Sequence, residues 1–224
     1  RGLGDVYKRQ NKYKMIYVIL SPGRAGSNYL RSIMRRYLST HHLPYGGMTK
    51  SWIFEEDEPL TFEKDTNYIV HTHSKQLDVL LNESITDTTL ILCKRRNIFE
   101  SIMSHEVALK TQEFNVYTNK EIEPFYINPY RYIELYAHRI GWFSDVDLTL
   151  PFYAVKEIYY EDILLYGETH VNDILKFNTE YNKNIALDLK SPYNYKKIVV
   201  NWRDLKDLTE HLYKFLKSAK LLDN

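Results

Sequence analysis

At 224 residues, 44% of them hydrophobic, the chain is long enough to fill the core of one α/β domain. Lysine plus arginine (30) nearly balances aspartate plus glutamate (29), which removes the broad basic surface expected of a nucleic-acid or membrane-surface binder and makes any binding charge local. The single cysteine excludes a disulfide framework and a thiolate zinc cage, and no run approaches the roughly 18 apolar residues of a membrane anchor. A reducing, cytoplasmic location is expected.

Residues 1–14 have no hydrophobic periodicity and are expected to be a non-native or disordered segment, with a single domain over 15–224. Ile16 to Leu20 is a β-rich run. It breaks at Ser21-Pro22-Gly23, passes through Arg24-Ala25-Gly26-Ser27-Asn28 and resumes with helical spacing at Leu30, Ile33, Met34, Tyr37 and Leu38. Strand, tight loop and helix are predicted in that order. Such a loop turns backbone N–H groups and a helix N-terminus toward one point, and its glycines let the main chain approach a phosphate closely. Arg24 adds a forked cation. A hydrogen bond to a charged group is worth about 1.5–3 kcal/mol, more than the ~0.3–1 kcal/mol of a helix dipole acting on an exposed charge.

The region from Tyr37 to Phe62 reads as loop, with Pro44-Tyr45-Gly46-Gly47 and the acidic run Glu55 to Glu58, and is expected to form the rim of an acceptor site. Tyr68 to His71 is a short strand running into Thr72 and His73, with Ser74 placed to cap the next helix. Thr89 to Cys93 is a buried-looking strand followed by Arg95-Arg96-Asn97. Asn97 with Glu100 three residues on starts a helix whose apolar face is Ile98, Phe99, Ile102, Met103 and Val107, with Ser101, Ser104 and His105 on the other side. Tyr126, Tyr130, Ile133, Ala137 and Ile140 fit one face of a further helix, expected to be core. A late strand lies within Phe152 to Asp162, residues 178–197 are polar and irregular, and Leu205, Leu208, Leu212, Phe215 and Leu216 mark a final amphipathic helix starting near Asn201.

The first loop is not that of a nucleoside triphosphatase, which reads GxxxxGK[ST] and carries a lysine on the β and γ phosphates. Here Gly26 precedes Ser27, and Gly23 and Gly26 are too close for that spacing. Arg24-Ala25-Gly26-Ser27-Asn28-Tyr29-Leu30 resembles instead the 5′-phosphosulfate loop of sulfotransferases that use 3′-phosphoadenosine 5′-phosphosulfate (PAPS), which typically reads RSGTTWL. The resemblance implies that Arg24 stands by the bridging oxygen, that Gly23, Ala25, Gly26, Ser27 and Asn28 cradle the 5′-phosphate, and that Tyr29 lies by the adenine. Arg96 and Ser104, eight positions apart, resemble the 3′-phosphate motif RNPxDxxxS of the same family, with Ile98 in place of proline and Glu100 in place of aspartate. Thr72-His73 resembles its KTH segment, implying that His73 is the general base, with His71 left structural. Tyr160-Glu161-Asp162-Ile163 resembles its YEDL, implying Tyr160 near the adenine. The C-terminal RKGxxGDW of cytosolic members is absent.

The resemblance covers Ile16 to Val107 by motif and the rest by order of elements. It implies a P-loop-like three-layer α/β sandwich with a central, mostly parallel sheet, transferring a sulfuryl group from PAPS to a hydroxyl or amine and releasing 3′-phosphoadenosine 5′-phosphate (PAP). A histidine with an ordinary pKa near 6.5 is largely neutral at pH 7 and suits the base role. Glu106 and Glu161 are alternative bases without a motif. No HExxH, CxxC or acidic ladder suggests a metal, and none is expected. The acceptor, whether small molecule, carbohydrate or peptide, and the oligomeric state are not written in the sequence. A nucleotide kinase-like phosphotransferase is disfavoured by the missing lysine, and a non-catalytic nucleotide-binding module by the presence of both Arg24 and His73.

Overall fold

A computed structural model of the chain describes residues 16–38, 60–62, 68–112, 121–177 and 194–221. The expectations for residues 1–14, for the 44–47 and 55–58 rim and for most of 178–197 lie outside the described residues. The chain divides into two compact units, one within Arg1–Arg96 and Phe143–Leu189, the other within Asn97–Trp142 and Lys190–Asn224.

The first unit is built on a parallel sheet of four strands, β1 (Ile16–Leu20), β2 (Tyr68–Thr72), β3 (Thr88–Lys94) and β4 (Ala154–Tyr159), in the order β2-β1-β3-β4. Every residue of β1 is buried, as expected for an unbroken apolar run with a parallel neighbour on each side. β4 is an edge strand and keeps three exposed residues, Val155 to Glu157. Helix α1 (Ser27–Leu38) lays Leu30, Ile33, Met34 and Tyr37 on the sheet face formed by Tyr17, Ile19, Ile69, Ile91, Cys93 and Ile158. Burying one such aliphatic side chain stabilises the fold by about 1.5–3 kcal/mol, so the helical spacing read in the sequence is enough to dock α1. The short helix α2 (Leu77–Leu81) buries Leu77, Leu80 and Leu81. It starts later than Ser74 implied, because the Ser74 hydroxyl accepts the Gln76 N–H in a turn before the helix.

After β4 the chain enters α5 (Tyr160–Tyr166) and α6 (Glu168–Leu175), which add Ile163 and Val171 to the same cluster. An ion pair of 2.8 Å between Arg36 and Glu168 joins α1 to α6. The chain leaves β1 toward β2 on one side and returns to β3 on the other. In open parallel sheets this divergence opens a crevice outside the carboxyl ends of the strands. The loop after β1, the end of β2 and the end of β3 all lie at that edge.

The second unit is helical: α3 (Ile98–Thr111), α4 (Pro129–Ile140), the single turn α7 (Tyr195–Ile198) and α8 (Trp202–Ser218). Asn97 caps α3 by accepting the Glu100 N–H at 3.0 Å, as its sequence indicates. The buried core is Ile102, Met103, Ile127, Tyr132, Tyr136, Val199 and Leu205. Asn201 fastens the α7–α8 junction to the segment before α4, accepting the Ile127 N–H at 3.1 Å and donating to the Ile127 carbonyl at 2.9 Å.

Two expectations are corrected here. The inward residues of α4 are Tyr132 and Tyr136, whereas Tyr126 lies before the helix and is 63% exposed and Tyr130 is 78% exposed. Tyrosine is apolar on its ring and polar at its tip, so a helix with tyrosines on two faces offers two equally good apolar stripes. On α8, Leu205, Leu208, Leu212 and Leu216 face the core while Phe215 is exposed. Among the described residues no helix is long and apolar enough to cross a membrane.

Candidate functional site

The loop between β1 and α1 alternates in handedness. Arg24 has φ +66° and Gly26 φ +89°, while Gly23, Ala25 and Ser27 avoid the left-handed region. Alternation of this kind points successive N–H groups into one concavity, the nest that binds anions in phosphate loops. For Arg24 the left-handed conformation costs roughly 1–2 kcal/mol, and such strain persists only where the surroundings enforce it.

The enforcing contacts come from the end of β3. Arg95 Nη1 donates to the Arg24 carbonyl at 3.0 Å, and the Cys93 thiol donates to the Ala25 carbonyl at 3.6 Å. Two loop carbonyls are thereby turned toward β3. Burial pushes the Cys93 thiol up to about 12, with Glu161 adding to the rise, so it stays a protonated donor. Gly26 lies against the ring of Tyr160, and a methyl group there would overlap that ring. Both the dihedral angle and the space at this position demand glycine.

Tyr160 is packed on three sides: Gly26 on one, Tyr29 edge-on at 6.3 Å, and the Arg95 guanidinium over its ring at 5.1 Å. Ser27 opens α1 and is buried, Ala25 is fully buried, and Gly23, Asn28 and Tyr29 are half-buried. The first turn of α1 carries no acidic residue, so nothing in it opposes an anion.

The end of β2 is fastened to the same loop by Ser21, itself fully buried. Its N–H donates to the Thr72 carbonyl at 3.3 Å, and its carbonyl accepts from His73 Nδ1 at 2.6 Å. Its hydroxyl lies 3.4 Å from His71 Nε2. A carbonyl can only accept, so the His73 proton sits on Nδ1 and the neutral ring carries its lone pair on Nε2. His73 is exposed, with its ring edge-to-face to that of His71 at 4.8 Å. Burial, His73 and Arg31 together push the His71 pKa well below 6.5, so His71 is neutral.

Arg95 and Arg96 are matched by the residues that open α5. Glu161 stands 3.9 Å from Arg95 Nε and accepts the Arg96 backbone N–H at 3.0 Å. Arg96 is half exposed. It lies over the Tyr159 ring at 4.0 Å and forks onto Asp162, with Nη2 to Oδ2 at 2.9 Å. Ser104 belongs to the second unit, where it is buried on α3. Glu106, one of the alternative bases, also lies there and accepts from the Arg131 guanidinium at 3.2 Å.

The first unit thus gathers Gly23 to Tyr29, His73, Arg96 and Tyr160 at one edge of the sheet, although the tyrosines pack on each other. Sequence reasoning overlooked Ser21, Cys93 and Arg95. Successive side chains at a strand end point to opposite sides, so the Arg95-Arg96 pair announced that one arginine would face the loop without saying which.

No protein-family model matches the chain, and no curated protein matches it.

Proposed function

We propose that the chain is a sulfotransferase that takes PAPS as donor, on a P-loop-like three-layer frame, with a hydroxyl or amine as acceptor. The observation that carries the reading is the alternating loop from Gly23 to Ser27, held by Cys93 and Arg95, with glycine where a triphosphatase has lysine. A nest lacking that lysine suits a phosphate that carries no magnesium-bound triphosphate. When bound, the nucleotide supplies an activated sulfuryl group and a phosphate that serves as leaving group.

The chain's own residues divide the remaining work. The loop N–H groups and Arg24 bind the 5′-phosphate and stabilise the charge that grows on it, a contribution that needs no reorganisation because the loop is already shaped. Arg96 binds the 3′-phosphate. His73 takes the acceptor's proton at Nε2, and the Ser21 carbonyl stabilises the resulting imidazolium through Nδ1–H. Holding both partners in line makes the transfer effectively unimolecular.

Calorimetry with a chelator present, and again with magnesium, tests the reading. PAP should bind and ATP should not; ATP binding that requires magnesium, with no PAP binding, would assign the loop to phosphoryl transfer. Transfer of radiolabel from PAPS to a panel of acceptors then separates an enzyme from a binding module.

A further inference from the structure

Four consecutive residues at the β4–α5 junction engage the two arginines that follow β3. Tyr159 lies beneath Arg96 and Tyr160 beneath Arg95, Glu161 takes the Arg95 Nε side and the Arg96 backbone N–H, and Asp162 fills the Arg96 fork. The register places them there, since Lys94 pairs with Tyr159 in the sheet. The Arg96 plane is therefore held by an aromatic face while its donor fork is occupied by a carboxylate. A guanidinium fork matches a carboxylate and a phosphate equally well.

We propose that Asp162 is an internal competitor for the 3′-phosphate on Arg96, an acidic latch that the nucleotide must displace on binding and that recloses to help expel the product. This rests on the sulfotransferase reading and adds to it a residue that tempers affinity. Asp162 is ionised at neutral pH, because the hydrogen bond from Arg96 holds its carboxyl below the usual carboxylate range. Tyr159 and the Glu161 contact to the Arg96 backbone keep the guanidinium in place when the carboxylate leaves. Removing the carboxylate charge should then free donors without loosening the arginine. A ligand with no 3′-phosphate has nothing to exchange for Asp162 and should be indifferent to its loss.

The test compares PAP with 5′-AMP by calorimetry and stopped flow, in wild type, Asp162→Asn, Arg96→Ala and the double variant. For wild type, PAP should bind more tightly than AMP. Asp162→Asn should tighten PAP by about three- to tenfold, the range of a surface ion pair reinforced by a forked geometry. Most of that gain should appear as slower dissociation, AMP should be unchanged, and the gain should vanish in the Arg96→Ala background. PAP affinity that is unchanged or weaker in Asp162→Asn would show that the carboxylate positions Arg96 or is inert, and would overturn the latch. Equal tightening of AMP would overturn it too. If wild type binds PAP no better than AMP, the 3′-phosphate assignment itself falls, a distinct failure. Asp162→Ser, with an unchanged unfolding midpoint, serves as a second variant should Asp162→Asn fold poorly.

Discussion

The ends of β1 and β3 lie side by side at one edge of the sheet and both run into arginine, yet their groups are fixed in opposite ways. After β1 the backbone itself is set: Arg24 and Gly26 are left-handed, and two carbonyls are tied back by Cys93 and Arg95. After β3 the charges are in place but spoken for, Arg96 by Asp162 and Arg95 by the loop carbonyl and Glu161. The first end holds backbone strain and, under the proposed function, needs no rearrangement to bind. The second is relaxed and, under the proposed function, must exchange a partner. Preorganisation thus belongs to the backbone and adjustability to the side chains, and the two arginines of one dipeptide serve different masters.

The largest expected effect concerns the histidine that shares the edge. His73→Ala should lower sulfuryl transfer by about 10²–10⁴-fold while leaving PAP affinity intact, which calorimetry beside a turnover assay would read. Full turnover in that variant would remove the base assignment. Next comes the strained end: Gly26→Ala forces a side chain into a left-handed position against the Tyr160 ring and should cost roughly 2–5 kcal/mol in denaturant unfolding, with loss of PAP binding. Unchanged stability would mean that the loop relaxes easily and is not preformed.

The comparison is sharpest in the arginine pair. Arg95→Ala should weaken PAP and AMP alike, because it loosens the loop that both share, whereas Arg96→Ala should weaken PAP by about 10- to 150-fold, the worth of a charged hydrogen bond, and spare AMP. The reverse pattern would swap their roles.

Smallest is a pH effect at the β2 end. His71 is neutral in the folded chain, with its pKa held below 6.5 chiefly by burial. From 6.5 down to that lowered value the unfolded chain binds more protons, so stability rises with pH across this window and falls on acidification, with no contribution above it. His71→Asn should flatten the acid side of a plot of unfolding midpoint against pH; an unchanged slope would place the acid sensitivity elsewhere.

Much of the frame was legible because single rules dominated it. Ile16–Leu20 and the stretch Thr89 to Cys93, apolar from Leu90 on, are runs that a parallel sheet buries on both faces, and the Asn97 cap with Glu100 fixed the start of α3. The inward face of α4 was not legible, since Tyr130 and Tyr132 are the same residue type and only the tertiary contacts choose between them. The tight loop after β1 could be found from its glycines. What holds it could not: the Cys93 thiol and the Arg95 guanidinium reach it from about 70 residues away, and no local pattern records a contact between neighbouring strand ends. His73 was visible as a histidine at a strand end. The carbonyl that sets its tautomer belongs to Ser21, just past the end of the adjacent strand, and needed the sheet order to appear.

A crystal structure of the chain with PAP tests the central claim most directly. The account expects the 5′-phosphate within hydrogen-bond distance of the N–H groups between Arg24 and Ser27, and the 3′-phosphate on Arg96 with Asp162 displaced from the fork. A nucleotide bound with both phosphates away from that loop, or with Arg96 still forked onto Asp162, would contradict it.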